Sequence, residues 1–514
     1  MRKERLLWAD DEIDLLKPHI LFLEEKGYEL VTATNGQDAL DLCRSQVFDL
    51  VFLDENMPGL SGLETLNAIK ELYPSLPIVM ITKSEEEDIM DQAIGSKISD
   101  YLIKPVNPNQ ILLTIKKNLH KNEIISGTVT ADYQQRFREI ALQIEEASGE
   151  EDWKEVYKKL VFWELELAGT KNALDEVLLM QKNEANRLFA RFVSRHYARW
   201  MEGSPDRPLM SPDLFREKVF PLLDAGEKVW FILIDNFRFD QWRMLKPQIG
   251  QWFSMDEQLY FSILPTATQY ARNAVFSGLY PLQIQQMFPE LWVDEDDEEG
   301  KNLNEAPLIQ SQLERYRKKY KFSYHKINDN SAGEKLLANL QSYMDNPLNV
   351  VVFNFIDMLS HARTESRMIR ELANDEAAYR SLTESWYKHS SMAGLLDYLS
   401  QQSCKVILTT DHGTIRVDNP VKVVGDRNTN TNLRYKLGRT LEYNPRQVYE
   451  ITPPLQYKLP SPNLSTTYIF AQHNDYFVYP NNYNYYASYY KHTFQHGGIS
   501  LEEMVVPFIL LDSK

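Results

Sequence analysis

The stretch Val229-Trp-Phe-Ile-Leu-Ile-Asp235 decides how the larger part of this 514-residue chain is read. Six apolar residues without polar alternation predict a strand buried on both faces, as in a parallel sheet covered by helices. The run ends on an aspartate. Two further runs have the same form: Val350-Val-Val-Phe-Asn-Phe-Ile356 leads into Asp357, and Val406-Ile-Leu-Thr-Thr410 leads into Asp411. Ligand sites in open parallel α/β sheets gather beyond the carboxyl ends of the strands. A buried carboxylate needs a partner, and a divalent cation is the strongest available. Three such strand ends predict one shared metal site.

Histidines complete the pattern. Asp357 and His361 stand four residues apart, so they share a face if the chain turns helical after the strand. Asp411-His412-Gly413 and His496-Gly497-Gly498 each pair an imidazole with a glycine that permits a tight turn. Oxygen and imidazole donors together suit zinc, with manganese as the alternative. His325, His389, His473 and His492 lack a strand-end context and read as core or surface residues. The segment Pro265–Gly278 supplies a nucleophile: Thr268 would open a helix, where the dipole favours a developing anion, and a metal can lower its pKa. Arg272, one turn on, could reach a phosphoryl oxygen. Taken singly, Asp357 and Thr268 could each be an ordinary helix cap.

The first 120 residues alternate strand and helix patterns, as in a doubly wound sheet. Strands are predicted at Arg5–Ala9, Glu29–Ala33, Leu50–Leu53, Ile78–Ile81 and Ser99–Leu102, with a helix over Leu15–Lys26. Asp10 and Asp11 follow the first strand and Asp54 the third; Thr82 ends the fourth and Lys104 follows the fifth. Three carboxylates, a hydroxyl and a lysine suit magnesium and a phosphoryl group. This part resembles a response-regulator receiver domain of flavodoxin-like fold. The resemblance implies that Asp54 is the phospho-acceptor, that Asp10 and Asp11 hold Mg2+, that Thr82 and Tyr101 form the switch pair, and that a cis-proline follows Lys104. Lys83 departs from the small residue that often follows the switch hydroxyl.

Composition narrows the class further. A net charge of −17 argues against general affinity for duplex DNA. Asp294-Glu-Asp-Asp-Glu-Glu299 carries much of the excess and reads as a solvated loop. Cys43 and Cys404 alone provide neither a disulfide framework nor a thiolate zinc site. The charged start and the lack of an apolar run near ~20 residues predict a cytoplasmic protein without membrane insertion. Between about Ala131 and Met201 the apolar period becomes helical, through Phe137, Ile140 and Ile144, then Trp153, Val156 and Leu160, then Leu188, Phe192 and Tyr197. With breaks at Ser148-Gly149 and Gly169-Thr170, it predicts a bundle of three or four helices. No compact pair of short helices with a basic face suggests a DNA-reading module. Gly203–Pro208 reads as a linker.

The C-terminal motifs, in the order Asp, Thr, Asp-x-x-x-His, Asp-His-Gly, His, resemble the alkaline phosphatase superfamily and within it the PglZ-type domain. The resemblance implies two Zn2+, one held by Asp235, Thr268, Asp411 and His412, the other by Asp357, His361 and His496, with Thr268 and Arg272 catalytic. Thr266 also flanks Ala267; spacing to Arg272 and Gly278 selects Thr268. Domains are expected at 1–121, 122–204 and 205–514. The three together resemble PorX-type response regulators of the type IX secretion system. That implies a partner histidine kinase, a sigma factor or secretion components, a phosphorylation-dependent homodimer, and a phosphodiesterase acting on cyclic or linear oligonucleotides. Arg427, Arg434, Lys436 and Arg439, with the Tyr-rich stretch Tyr476–Tyr490, are the candidate substrate contacts, since single-stranded nucleotides ask for cations and rings. The alternatives are a phosphomonoesterase or sulfatase-like hydrolase, and a non-catalytic regulator with a structural metal site.

Overall fold

The computed structural model describes residues 3–83, 98–119, 121–168, 174–294, 302–373, 375–426 and 429–514. The chain divides into two compact units, Met1–Ala131 and Asp132–Lys514.

The first unit is a five-stranded parallel sheet of β1 (Arg5–Ala9), β2 (Glu29–Ala33), β3 (Leu50–Asp54), β4 (Ile78–Thr82) and β5 (Asp100–Ile103), in the order β2-β1-β3-β4-β5. Each predicted strand is present within a residue or two. β3 and β4 are wholly buried, which accounts for their unbroken apolar sequence. Side chains alternate between two cores: Leu7, Val51 and Leu53 face one, and Leu6, Phe52 and Ile81 the other. The first predicted helix splits into a short 3-10 turn, Ile13–Leu16, and a helix from Lys17 to Glu25.

The predicted helices follow at Lys121–Glu146, which runs across the boundary between the units, and at Glu150–Leu167 and Leu174–Met201 in the second unit. The first break holds, with Gly149 as the N-cap of the second helix. Gly169 and Thr170 lie outside the described residues. Trp153, Val156, Tyr157 and Leu160 are buried. In the third helix the buried stripe runs through Phe189 as well as Phe192 and Tyr197, and Leu188 is only half-buried. These helices pack onto the following domain through Tyr157 on Phe239 and through Phe189 and Trp200 on Phe261. Gly203–Pro208, expected as a linker, is a turn whose Arg207 pairs with Asp213 at 2.6 Å.

The main sheet of this unit has six strands: β6 (Val229–Ile234), β7 (Phe253–Phe261), β8 (Phe322–Ile327), β9 (Leu348–Phe353), β10 (Lys405–Thr409) and the C-terminal strand Val505–Ser513. Their order is β7, C-terminal strand, β10, β6, β9, β8. β10, β6, β9 and β8 run parallel, and the C-terminal strand runs antiparallel to β10 and β7. Ile234 pairs with Phe353, and Thr409 with Leu233, so three strand ends finish on one edge of the sheet. Between β10 and the C-terminal strand lies an insert that sequence reading did not foresee. It holds a three-stranded sheet of Tyr435–Gly438, Thr467–Ala471 and Val448–Ile451, and two short strand pairs. Among the described residues no helix is long and apolar enough to cross a membrane.

Candidate active site

Asp235 leaves β6 with its N–H donating to the carbonyl of Phe353. Asp411 follows β10 by two residues and is fully buried. Asp357 is not at a strand end as expected. β9 stops at Phe353, and Asp357 lies in the first turn of the helix Phe355–Glu365. The apolar Phe355-Ile356 extends the strand pattern, and a helix start of that composition has no distinct periodicity. The helical turn does bring His361 Nε2 to 3.5 Å from Asp357 Oδ2.

The candidate ligands form two groups of three, Asp235, Asp411 and His412, and Asp357, His361 and His496; within each group the donor atoms lie within 4.8 Å of one another. The rings of His412 and His496 stack with centroids 4.4 Å apart and place the groups side by side. Nδ1 of His412 lies 3.1 Å from the carbonyl of Gly413, and Nδ1 of His496 lies 3.2 Å from the carbonyl of Thr266. A carbonyl only accepts, so each Nδ1 carries a hydrogen and each Nε2 is turned to the other side of its ring. Those nitrogens face Asp235 at 3.8 Å and Asp357 at 3.6 Å. Burial, then the neighbouring His412, pushes the His496 pKa down to about 3 and keeps the ring neutral. Burial raises the Asp235 carboxyl well above its ordinary range against the pull of Arg272, and Asp411 and Asp357 push the same way. At Asp411 burial is outweighed by Arg272 and His412, and the pKa is lowered. Converging carboxylates and imidazoles form a donor set that divalent cations fit.

Thr268 begins the helix Thr268–Ser277, and Ala267 is its N-cap. The threonine is therefore not the cap. Its Oγ1 lies 3.1 Å from Nε2 of His412 and 3.4 Å from Oδ1 of Asp235. Thr266 turns away: its hydroxyl donates to the carbonyl of Gly498 at 2.8 Å and accepts from the N–H of Gly497. It fixes the loop that carries His496. Gly497 has a φ of +122° and no room for a Cβ beside Tyr435; a Cβ on Gly413 would collide with the carbonyl of Glu502. Both glycines let backbone pass close to the site.

In the first unit Asp10, Asp11 and Asp54 lie together. Lys104 Nζ stands 2.9 Å from Asp10 and 2.7 Å from Asp54, and the Lys104–Pro105 bond is cis. Burial raises the Asp54 pKa against the pull of Lys104. Burial would lower the Lys104 pKa, but Asp54 and Asp10 outweigh it and hold the amine charged. Thr82 donates to Glu55, and Tyr101 is exposed.

Residues 6–116 match the response regulator receiver domain, 123–201 the PorX response regulator linker domain, and 214–511, more than half of the chain, the BREX system PglZ alkaline phosphatase-like domain. The chain belongs to the PglZ alkaline phosphatase-like family, built as a PorX-type response regulator. It is 35% identical over 125 residues to the transcriptional regulatory protein ZraR of Klebsiella oxytoca, covering 24% of this chain and 28% of that one. It is 31% identical over 123 residues to the alkaline phosphatase synthesis transcriptional regulatory protein PhoP of Bacillus subtilis, covering 24% and 50%. The chain thus spans half or less of the length of these relatives. The solved chemotaxis protein CheY4 of Vibrio cholerae is 29% identical and covers 23% of this chain and 100% of its own, with a TM-score of 0.22.

Several expected contacts in the PglZ domain fall elsewhere. Arg272 is buried and ion-paired with Asp235, with Asp411 at 3.0 Å and with Glu305 at 3.4 Å. Its guanidinium faces the carboxylates, not the open side of the site. Arg434 and Lys436, expected at the substrate, are buried structural groups: Arg434 pairs with Glu503 at 2.6 Å, and Lys436 donates to the carbonyl of Asn430. A cation close to a buried carboxylate is drawn inward whatever its sequence surroundings. Arg439 donates to Asn463 at the surface, and Arg427 lies outside the described residues. Most of the acidic run lies outside them too. Sequence reading missed Asn236. It adopts a left-handed φ of 62°, and its Nδ2 donates to Asp357 Oδ1 and Ser360 Oγ, both at 3.2 Å. Its N–H reaches Asp411 at 3.5 Å, so it bridges the two donor groups. An asparagine directly after a strand-end aspartate, where a left-handed turn suits it, was the available signal.

Proposed function

We propose that the PglZ domain is a zinc-dependent phosphodiesterase for cyclic or linear oligonucleotides, controlled by phosphorylation of Asp54. The observation that carries this reading is Thr268 Oγ1, which sits 3.4 Å from Asp235 and 3.1 Å from His412, two donors of one group. A structural metal site has no need of a hydroxyl there. Asp235, Thr268, Asp411 and His412 would hold one cation, and Asp357, His361 and His496 the other. Bound cations would polarise the phosphoryl oxygens and lower the pKa of the threonine hydroxyl. Thr268 Oγ1 attacks phosphorus; the Oγ1–P bond forms as the bond to the leaving alkoxide breaks, giving a nucleotidyl-threonine ester and a free alcohol. Water then adds to phosphorus, and Oγ1 leaves and regains its proton. The positive end of the helix Thr268–Ser277 favours negative charge on Oγ1. Asn236 keeps Asp357 oriented, and Arg272 holds Asp235 and Asp411 in place rather than touching the phosphoryl group.

In the receiver, a histidine kinase would phosphorylate Asp54, with Mg2+ on Asp10 and Asp11 and Lys104 beside the phosphoryl group. Thr82 and Tyr101 would remodel a face through which two copies pair. Segments 1–121, 122–204 and 205–514 would be the sensing, transmitting and hydrolytic parts of a cytoplasmic protein. The PorX-type match motivates a sigma factor or type IX secretion components as partners.

The test is a panel of oligonucleotides, phosphomonoesters and sulfate esters offered to zinc-loaded protein. Oligonucleotides should be cleaved, and Thr268→Ala should keep its zinc and lose cleavage by orders of magnitude. Preference for monoesters would refute the diester assignment.

A further inference from the structure

The helix Tyr483–Tyr490 has the sequence Tyr-Asn-Tyr-Tyr-Ala-Ser-Tyr-Tyr, and none of its residues is buried. Tyr483 and Tyr490 half-bury against the small core of Ile415, Val417, Tyr476 and Val478, while Tyr485 and Tyr486 stay exposed without a core to support. Spacing of four residues builds two ladders: the rings of Tyr485 and Tyr489 are near parallel with centroids 5.9 Å apart, and those of Tyr486 and Tyr490 with centroids 6.0 Å apart. Tyr485 is 63% exposed. The guanidinium of Arg370 lies over the Tyr489 ring, 4.7 Å from its centroid. The patch is thus flat, aromatic and cationic.

Its position gives it a role. Thr493 closes the helix end by donating to the carbonyl of Tyr490, and the next residues, Phe494 and Gln495, lead directly to His496. Arg370 comes from the helix Arg367–Leu372, packed on the helix that carries Asp357 and His361. His361 is the exposed member of the ligand set, with a side chain 63% exposed, so the site opens where these two helices lie. Asp235, Asp411 and His412 close the opposite side.

We propose that the tyrosine helix and Arg370 form a subsite that stacks a nucleobase next to the cleaved phosphodiester. The inference rests on the phosphodiesterase reading. A base offers a π face to a tyrosine ring, and the adjoining phosphate is drawn to the guanidinium. Ring centroids about 6 Å apart leave no slot between tyrosines, so the base stacks on the ladder from outside rather than between its rings.

The experiment measures anisotropy of a fluorescent phosphorothioate dinucleotide on zinc-loaded Thr268→Ala, and KM and kcat on an oligonucleotide in the wild-type background. Tyr485→Ala/Tyr489→Ala should weaken dinucleotide binding and raise KM by about tenfold or more, the loss of one base stack. Its kcat should change by less than about twofold, because the rings do not touch the reacting atoms. Tyr485→Phe, which keeps the ring, should behave as wild type. Arg370→Ala should weaken binding more at low salt than at high salt. Unchanged affinity in the double variant, or no affinity in its parent, overturns the subsite. So does a change confined to self-association, which would make the patch a contact between copies. Ring-dependent binding by a protein that cleaves no oligonucleotide would keep the subsite and sink the hydrolase reading.

Discussion

Replacing Arg272 by methionine removes the arginine set among Asp235, Asp411 and Glu305, each no more than 3% exposed. Methionine keeps most of the volume, so packing changes little. Asp235 and Asp411 lose their arginine, while Glu305 keeps Lys326 at 3.0 Å. Breaking a buried pair from one side costs about 3–5 kcal/mol, since the charge left behind is uncompensated. Urea unfolding followed by tryptophan fluorescence, in chelator, should show a loss of that size for Arg272→Met. Saturating zinc supplies positive charge to the same carboxylates. The variant relies on it more than wild type does, so zinc should stabilise the variant by the larger amount. A loss below about 1 kcal/mol in chelator would contradict a role for Arg272 in holding the carboxylates. An equal zinc effect in both proteins would contradict a shared site. Arg272→Lys, which keeps the charge without the planar fork, should fall between the two.

Asp54→Ala should stay unlabelled when acyl-phosphate donors and magnesium label the wild type; labelling that persists would move the acceptor elsewhere. His496 is held neutral to about pH 3, while the unfolded ring protonates near its ordinary value. Its contribution to stability is therefore complete above about pH 6.5 and falls as pH drops towards 3, by up to about 1.4 kcal/mol per pH unit. His496→Gln should flatten this slope in unfolding titrations between pH 7 and 5, and an unaltered slope would contradict the assignment. Lys182 joins Glu164 at 2.6 Å and Glu502 at 3.5 Å, tying the helical segment to the PglZ domain. Lys182→Met should cost about 3 kcal/mol or more in urea unfolding, and a loss under about 1 kcal/mol would show the tie to be weak.

The parallel strands were legible because burial on both faces leaves a continuous apolar run, and Val229–Ile234 is read to the residue. The three aspartates could be grouped because sheet topology gathers strand ends, and His496, 261 positions from Asp235, joined them through the motif order of the family the chain resembles. The end of β9 was misplaced because Phe355 and Ile356 are apolar on either reading. Long-range ion pairs had no sequence signal. Arg434 looked like part of a basic surface loop, and only the fold brings Glu503, 69 residues on, against it. The same holds for Arg380 and Glu164, 216 residues apart, which help seal the helical segment to the PglZ domain. The Tyr-rich stretch was noticed by composition, but its division into a buried strand, Asp475–Val478, and an exposed helix depends on the insert around it.

Acid-quenched peptide mapping of zinc-loaded protein during turnover of an oligonucleotide tests the account most directly. A nucleotidyl mass on the peptide holding Thr268, absent from Thr268→Ala, is the predicted result. An adduct on another residue, or full turnover by Thr268→Ala, would contradict it.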